Sequence, residues 1–217
     1  ESAASAALDI TVDTTADAAP TGLDLAAADD TNVDTDNITS TTTGLSIAGS
    51  GENGSSVQLY SWDDAGGDAD GSVDDGELTA VGTAGTVTGG AFSIDIDLAE
   101  GVHAVVAKQT DVAGNESAAS AALDITVDTT ADAPSFALNT DSGSLNNDGI
   151  TNDATVDVTL AGDMAIWEYS VDAGASWATG RRQLFGTSFE LADNTVYAID
   201  DVQVRQTDTA GNVSTAA

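Results

Sequence analysis

The sequence contains no cysteine, a single histidine and two prolines, and sets only four cationic side chains against 37 acidic ones in 217 residues. Each shortage excludes something. Without cysteine there is neither a disulfide framework nor a thiolate zinc site. With Lys108, Arg181, Arg182 and Arg205 as the only cations, no basic patch can form, so neither nucleic acid nor anionic lipid is an expected partner. His103 is the only imidazole, on an alternating stretch that reads as a surface strand, and there is no H-E-x-x-H or G-x-S-x-G. Nucleophilic catalysis therefore has no candidate with a base beside it, and the chain is not expected to be an enzyme. No apolar run approaches the roughly 20 residues of a membrane helix, so membrane insertion is not expected. The opening residues lack the basic and apolar segments of a secretory signal, which places any targeting signal outside this sequence.

What is present is acid and small residues. The formal net charge is −33, and of the apolar residues 38 are alanine. Leu, Ile, Val and Phe together make up only about a fifth of the chain, the boundary at which high net charge begins to favour disorder. Any core must be thin. Of the acids 30 are Asp and 7 are Glu, and with 22 glycines and many threonines this composition disfavours helix and favours turns and strands. The expected fold class is all-β. A surface of this charge has cations as its natural partners.

Internal repetition is the strongest signal. Residues 1–18, ESAASAALDITVDTTADA, recur unchanged at 116–133, and QTDVAGN at 109–115 is echoed by QTDTAGN at 206–212. The two echoes define one repeating unit. The chain then divides into the final strand of a preceding repeat (1–13), a complete repeat (14–128) and a second repeat lacking its own final strand (129–217), as expected of a window on a longer tandem array. Within the complete unit, period-2 alternation predicts seven strands near 21–27, 41–48, 55–62, 77–87, 91–98, 102–110 and 118–127. Seven short antiparallel strands in about 100 residues is the count for an immunoglobulin-like sandwich. Pro20 and Pro134 each sit where a linker enters a first strand.

The unit pattern V-D-T-T-A-D-A-P, an Asp-rich loop ending in D-x-I-T, A-G-x-G-E-x-G-S-x-V and T-D-x-A-G-N-x-S resembles the bacterial Ig-like extender repeats of giant RTX-type adhesins of Gram-negative bacteria. WEYSVDAGASW at 167–177 resembles another hairpin of that family. The resemblance implies tandem Ig-like β-sandwiches in an extracellular, cell-surface stalk, with junctions to neighbouring repeats clamped by Ca2+. It places Asp29, Asp34, Asp36, Asp128, Asp132 and Asp208 at the internal junction. Asp13, Asp17 and Asp111 fall at the N-terminal one, and Asp141, Asp148 and Asp153 at the C-terminal end. Crowded carboxylates suit a hard cation that takes six to eight oxygens, although Asp is also an ordinary turn former.

A separate calcium loop is expected inside the first repeat. GGDADGSVDDGE at 66–77 follows the EF-hand ligand spacing from its second ligand onward, through Asp68, Asp70, Asp74 and Glu77, with Gly71 at the sharp turn and Val73 at the apolar position. Gly66 occupies the first ligand position, where Asp63 or Asp64 would have to substitute. Gly49 to Gly54 satisfies G-x-G-x-x-G, yet a strand-like run follows it and Glu52 lies within it, which excludes a dinucleotide site. Trp62, Trp167 and Trp177 are expected to pack in the sandwiches. Because the N-terminal strand is of the type the second repeat lacks, head-to-tail donation of Leu8, Ile10 and Val12 to another copy is the alternative expectation.

Overall fold

The computed structural model describes residues 6, 8–64, 70–180, 182–183 and 186–217, with the backbone alone for 182, 183 and 186. Every regular element among them is a strand except the 3-10 turn Asp75–Glu77. Among the described residues, no helix is long and apolar enough to cross a membrane. The chain forms two compact units, Glu1–Asp29 with Thr43–Thr126 and Asp30–Thr42 with Val127–Ala217.

The first unit contains β1 (Thr21–Leu25), β3 (Leu45–Ser50), β4 (Ser56–Trp62), β5 (Leu78–Thr86), β6 (Ala91–Ile96), β7 (Gly101–Thr110) and β8 (Leu123–Val127); the short β2 (Ile38–Thr39) precedes β3 in sequence. One sheet runs β1-β3-β6, and the other runs β8-β7-β4-β5 through this unit. These strands fall where the alternation predicts them; the main difference is the last, which starts at Leu123 because at Ser117 and Ser120 the backbone N–H still donates to β7 but the side-chain hydroxyl takes the place of the carbonyl that a ladder would use as acceptor. Ser117 Oγ accepts from Gln109 N at 3.0 Å and Ser120 Oγ from Ala107 N at 2.9 Å. Alternation then buries one face: Leu45, Ile47, Val57, Leu59, Ile94, Ile96, Val105 and Ile125 are all nearly inaccessible. In the β3–β6 pair, Leu45 faces Ile96 and Ile47 faces Ile94. Gly49 faces Phe92, and a β-carbon there would stand 2.4 Å from the ring, so the aromatic closes directly over the strand backbone.

The second unit contains β9 (Ser135–Leu138), β10 (Thr155–Thr159), β11 (Met164–Ser170), β12 (Ala178–Thr179), β13 (Arg182–Gln183), β14 (Gly186–Glu190) and β15 (Gln203–Asp208). Its sheets are β13-β14-β10-β9 and β12-β11-β15, all pairs antiparallel. Val156, Val158, Trp167, Phe189 and Val204 form the core, and Tyr169 stacks on Phe189 with ring centroids 4.1 Å apart. Thin aliphatic content is offset here by aromatics, each burying more apolar area than an alanine or valine. Trp177 lies under the Arg205 guanidinium, 4.0 Å from its ring centroid, and Arg205 also pairs with Glu168. Trp62 donates to Glu77 Oε2 at 3.0 Å. All three tryptophans are thus engaged within the fold.

Candidate metal centre

The repeated Q-T-D-x-A-G-N segment builds the same turn twice. Asp111 Oδ1 accepts from Asn115 N at 2.8 Å and its Oδ2 from Asn115 Nδ2 at 2.8 Å; Asp208 does the same with Asn212 at 2.8 and 2.9 Å. Gly114 and Gly211 close the turns at φ of +95° and +89°, conformations that favour glycine. The hydrogen bonds from Asn115, side chain first and backbone second, hold the Asp111 carboxyl below its ordinary range.

Each turn then captures a linker. Asn115 Nδ2 donates to the Asp13 carbonyl at 3.3 Å, and Asn212 Nδ2 to the Asp128 carbonyl at 2.8 Å. Two residues before each aspartate stands a buried glutamine that fixes the neighbouring loop. Gln206 accepts from Ala161 N at 3.1 Å and donates to the Ala161 carbonyl; Gln109 accepts from Glu52 N at 2.9 Å and donates to the Ala18 carbonyl at 2.6 Å. A buried amide whose oxygen and nitrogen are both satisfied by backbone leaves that loop little freedom.

In the second unit the result is convergence. Asp128, Asp163 and Asp208 place one carboxylate oxygen each within 4.8 Å of one another. Asp208 is buried, Asp128 half-buried and Asp163 exposed. Thr209 donates its hydroxyl to Asp163 Oδ2, holding that side chain in the group. Asp132 lies alongside: a β-carbon at Gly162 would stand 3.1 Å from its Oδ2. The donors are all hard oxygens, the set that suits Ca2+ or Mg2+ over softer metals. Carboxylates this close repel by about 3 kcal/mol per pair at an effective dielectric of about 20, before solvent screening. The cations with described side chains are occupied elsewhere, Lys108 by Asp75 and Glu116 and Arg205 by Glu168.

In the first unit Asp13, Asp17 and Asp111, together with Glu52, line a cleft of about 350 Å³. Asp17 Oδ2 accepts from Ser55 Oγ at 2.6 Å, and Asp13 Oδ1 from Thr15 N at 3.0 Å.

The other predicted ligands occupy loops. Asp29 Oδ2 accepts from Ser46 N at 3.0 Å, Asp34 is exposed, and Asp36 Oδ1 accepts from Ile38 N at 3.1 Å. Asp141 Oδ2 accepts from Gly149 N, Asp148 Oδ1 from Ile150 N and Asp153 Oδ1 from Thr155 N, at 3.0 to 3.1 Å. In the internal loop, Asp64 Oδ1 accepts from Gly71 N at 3.0 Å, with Gly71 at φ +80°. Asp70 Oδ1 accepts from Ser72 N at 2.7 Å, Asp74 caps the 3-10 turn, and the buried Glu77 turns toward Trp62. Asp68 lies outside the described residues.

Sequence reasoning missed Asp163, Glu52 and the two glutamines. Asp163 had no signal of its own, because A-G-D at 161–163 does not echo A-G-S-G-E-N-G at 48–54. The glutamines did have one, since both lie in the repeated heptad.

Residues 16–129 match the sequence family described as the bacterial Ig-like domain. No curated protein matches the chain. The crystal structure of chicken CNTN1 FN1-FN3 domains is similar over 94% of this chain and 66% of that one, at 12% identity and a TM-score of 0.32, too low a likeness to bear on the argument. The match spans more than half of the 217 residues, and the structure is a pair of β-sandwich units: the chain belongs to the bacterial Ig-like domain family.

Proposed function

We propose that the chain is a non-catalytic extender segment of an extracellular, cell-surface adhesin, stiffened by Ca2+. The observation that carries this reading is the convergence of Asp128, Asp163 and Asp208, which joins a linker aspartate to two loops of the second sandwich through carboxylates alone. A divalent ion there cancels like charge and fixes the linker residue to the sandwich. An ion bound by the folded state and not by the unfolded one stabilises by mass action, about 2.7 kcal/mol per site at a hundredfold excess over Kd. Such coupling turns a surplus of acid into a calcium-dependent rod, suited to holding a distal binding domain away from the cell. Small-angle scattering tests it: the maximum dimension should become larger and better defined in millimolar Ca2+ than in chelator. Identical scattering curves in the two conditions would sink the proposal.

One observation favours a second reading, a head-to-tail filament. Leu123, Ile125 and Val127 are buried, whereas Leu8, Ile10 and Val12, in the same eighteen-residue sequence, are 80%, 73% and 82% exposed. Strand β15 is the last named strand of its sheet, and residues 213–217 bond its outer edge from Val204 to Thr207. Donation of residues 8–12 to another copy beyond that segment, alongside the chain that leads into β15, would bury the exposed row and extend the ladder. Light scattering after size exclusion should then show oligomers that grow with concentration; a monomer at every concentration rejects it.

A further inference from the structure

The same turn is covered in one unit and bare in the other. In the second unit Ala210 is completely buried and Thr209 and Gly211 are half-buried, whereas their counterparts in the first, Ala113, Val112 and Gly114, are all exposed. The turns themselves do not differ, since each is closed by the same aspartate–asparagine pair and a glycine of positive φ. The cover is the loop of residues 30–42. Thr31 donates its hydroxyl to the Ala210 carbonyl, Asn32 Nδ2 donates to the Thr209 carbonyl at 3.1 Å, and a β-carbon at Gly211 would stand 3.4 Å from that of Asn32. The Thr31 oxygen accepts from Ser40 N at 2.9 Å, which leaves its hydrogen for the turn. Both acceptors on the turn are main-chain carbonyls. The loop therefore reads the path of the turn and not its side chains, and Val112 in place of Thr209 is no obstacle.

The corresponding loop of the second unit carries the same latch. D-N-I-T-S at 36–40 matches D-G-I-T-N at 148–152, and counting back, with one extra residue between, sets Ser142 where Thr31 stands. Ser142 Oγ accepts from Asn152 N at 2.7 Å, as Thr31 Oγ1 does from Ser40 N. A residue of positive φ follows each hydroxyl, Gly143 at +131° and Asn32 at +68°. The Ser142 hydroxyl, however, is spent within its own loop, on Asn152 Oδ1 at 2.6 Å. Turning it to a carbonyl costs little, because one hydrogen bond replaces another.

We propose that the bare turn at 111–115 and the loop around Ser142 are the two halves of a head-to-tail joint between two copies of this chain, in which Ser142 of one donates to the Ala113 carbonyl of the other. The occupant is argued from the joint already formed in the second unit: the same turn is buried there by a loop of the same build. Loop and turn are different surfaces, so the contact is heterologous and each copy keeps one half free for a further copy. Gly143 lacks the amide that Asn32 contributes, which makes this joint weaker than the one made by Thr31 and Asn32. It needs neither the ion of the extender reading nor the exposed strand of the filament reading.

Cross-linking of the full chain tests it, since the absence of cysteine leaves engineered thiols without competitors. V112C and S144C, both at exposed positions, are mixed in equal amounts in chelator, one of them isotope-labelled, and treated with a short bis-maleimide. Mixed dimers should clearly exceed their statistical share over dimers of either variant with itself. S142A in the S144C chain should return them to that share and S142T should restore the excess, whereas I10D in the V112C chain should change nothing. Mixed dimers at the statistical share, or an excess undiminished by S142A, overturn the proposal. So does an excess that falls with I10D, which would assign the contact to the donated strand. An excess that appears only in millimolar Ca2+ also overturns it, and leaves the calcium reading standing without this joint.

Discussion

The two copies of the linker and turn motifs start from nearly the same sequence and end in different places. In the second, three carboxylates converge to within 4.8 Å; in the first, Asp13, Asp17, Asp111 and Glu52 line an open cleft. The turn is the same in both, as is the asparagine that captures the linker carbonyl. What differs is one residue of the turn and the loop opposite it. Thr209 follows Asp208 and its hydroxyl restrains Asp163, whereas Val112 follows Asp111, is 90% exposed and has nothing to donate. The comparison teaches that the repeated motif delivers two carboxylates, and that recruitment of a third is set by a residue inside the motif's variable position.

The comparison can be broken most severely at Asp208. D208N should lower calcium affinity at the cluster by about a hundredfold, roughly 2.7 kcal/mol, since truncating a buried, hydrogen-bonded charge is among the costlier changes. The matching D111N should cost far less, and calorimetric titration of the two variants side by side reads the difference. Next comes the buried amide: Q206M strands the Ala161 N–H and carbonyl, and should destabilise the second unit by about 2 kcal/mol in urea denaturation, with or without calcium. A smaller and more pointed effect is expected at the variable position. T209V should weaken calcium binding a few-fold by releasing Asp163, about 1 kcal/mol, and V112T should leave the first cleft unchanged unless Glu52 can be captured in the same way. Equal affinities in T209V and wild type would remove the explanation offered for the difference.

The smallest effect concerns pH. Asp111 is held below its ordinary value of 3.8 chiefly by Asn115. A depressed carboxyl contributes stability that is complete above the unfolded value and is lost as pH falls from there through the folded value. N115A should therefore move the Asp111 titration midpoint upward toward 3.8, which carboxyl NMR resolves, and remove at neutral pH the stability that the depressed carboxyl contributed, a loss that fades as pH falls below that value.

Much of the fold was legible because strand alternation and exact repetition are local properties of the sequence. The strands of the first repeat fell within a few residues of their predicted limits, apart from the start of β8, where the Ser117 and Ser120 hydroxyls take the place of ladder carbonyls as acceptors. Grouping by motif likewise brought Asp13, Asp17 and Asp111 together, and Asp128 with Asp208. Asp163 and Glu52 were not legible, since each owes its position to a buried glutamine far along the chain. Adjacent acids were equally opaque. Asp29 and Asp30 cannot be told apart in sequence, yet one caps the β3 backbone at Ser46 and the other is buried with a bare oxygen. That difference is set by which way the chain turns between them, and no composition or period encodes it.

The central claim, that Asp128, Asp163 and Asp208 form a calcium site which stabilises the folded chain, is tested most directly by scanning calorimetry of wild type and D208N in millimolar Ca2+ and in chelator. The account predicts a calcium-induced rise in the thermal midpoint of wild type of about 5 to 10 °C per saturated site, and a clearly smaller rise in D208N. The same calcium response in both proteins, or none in wild type, would contradict it.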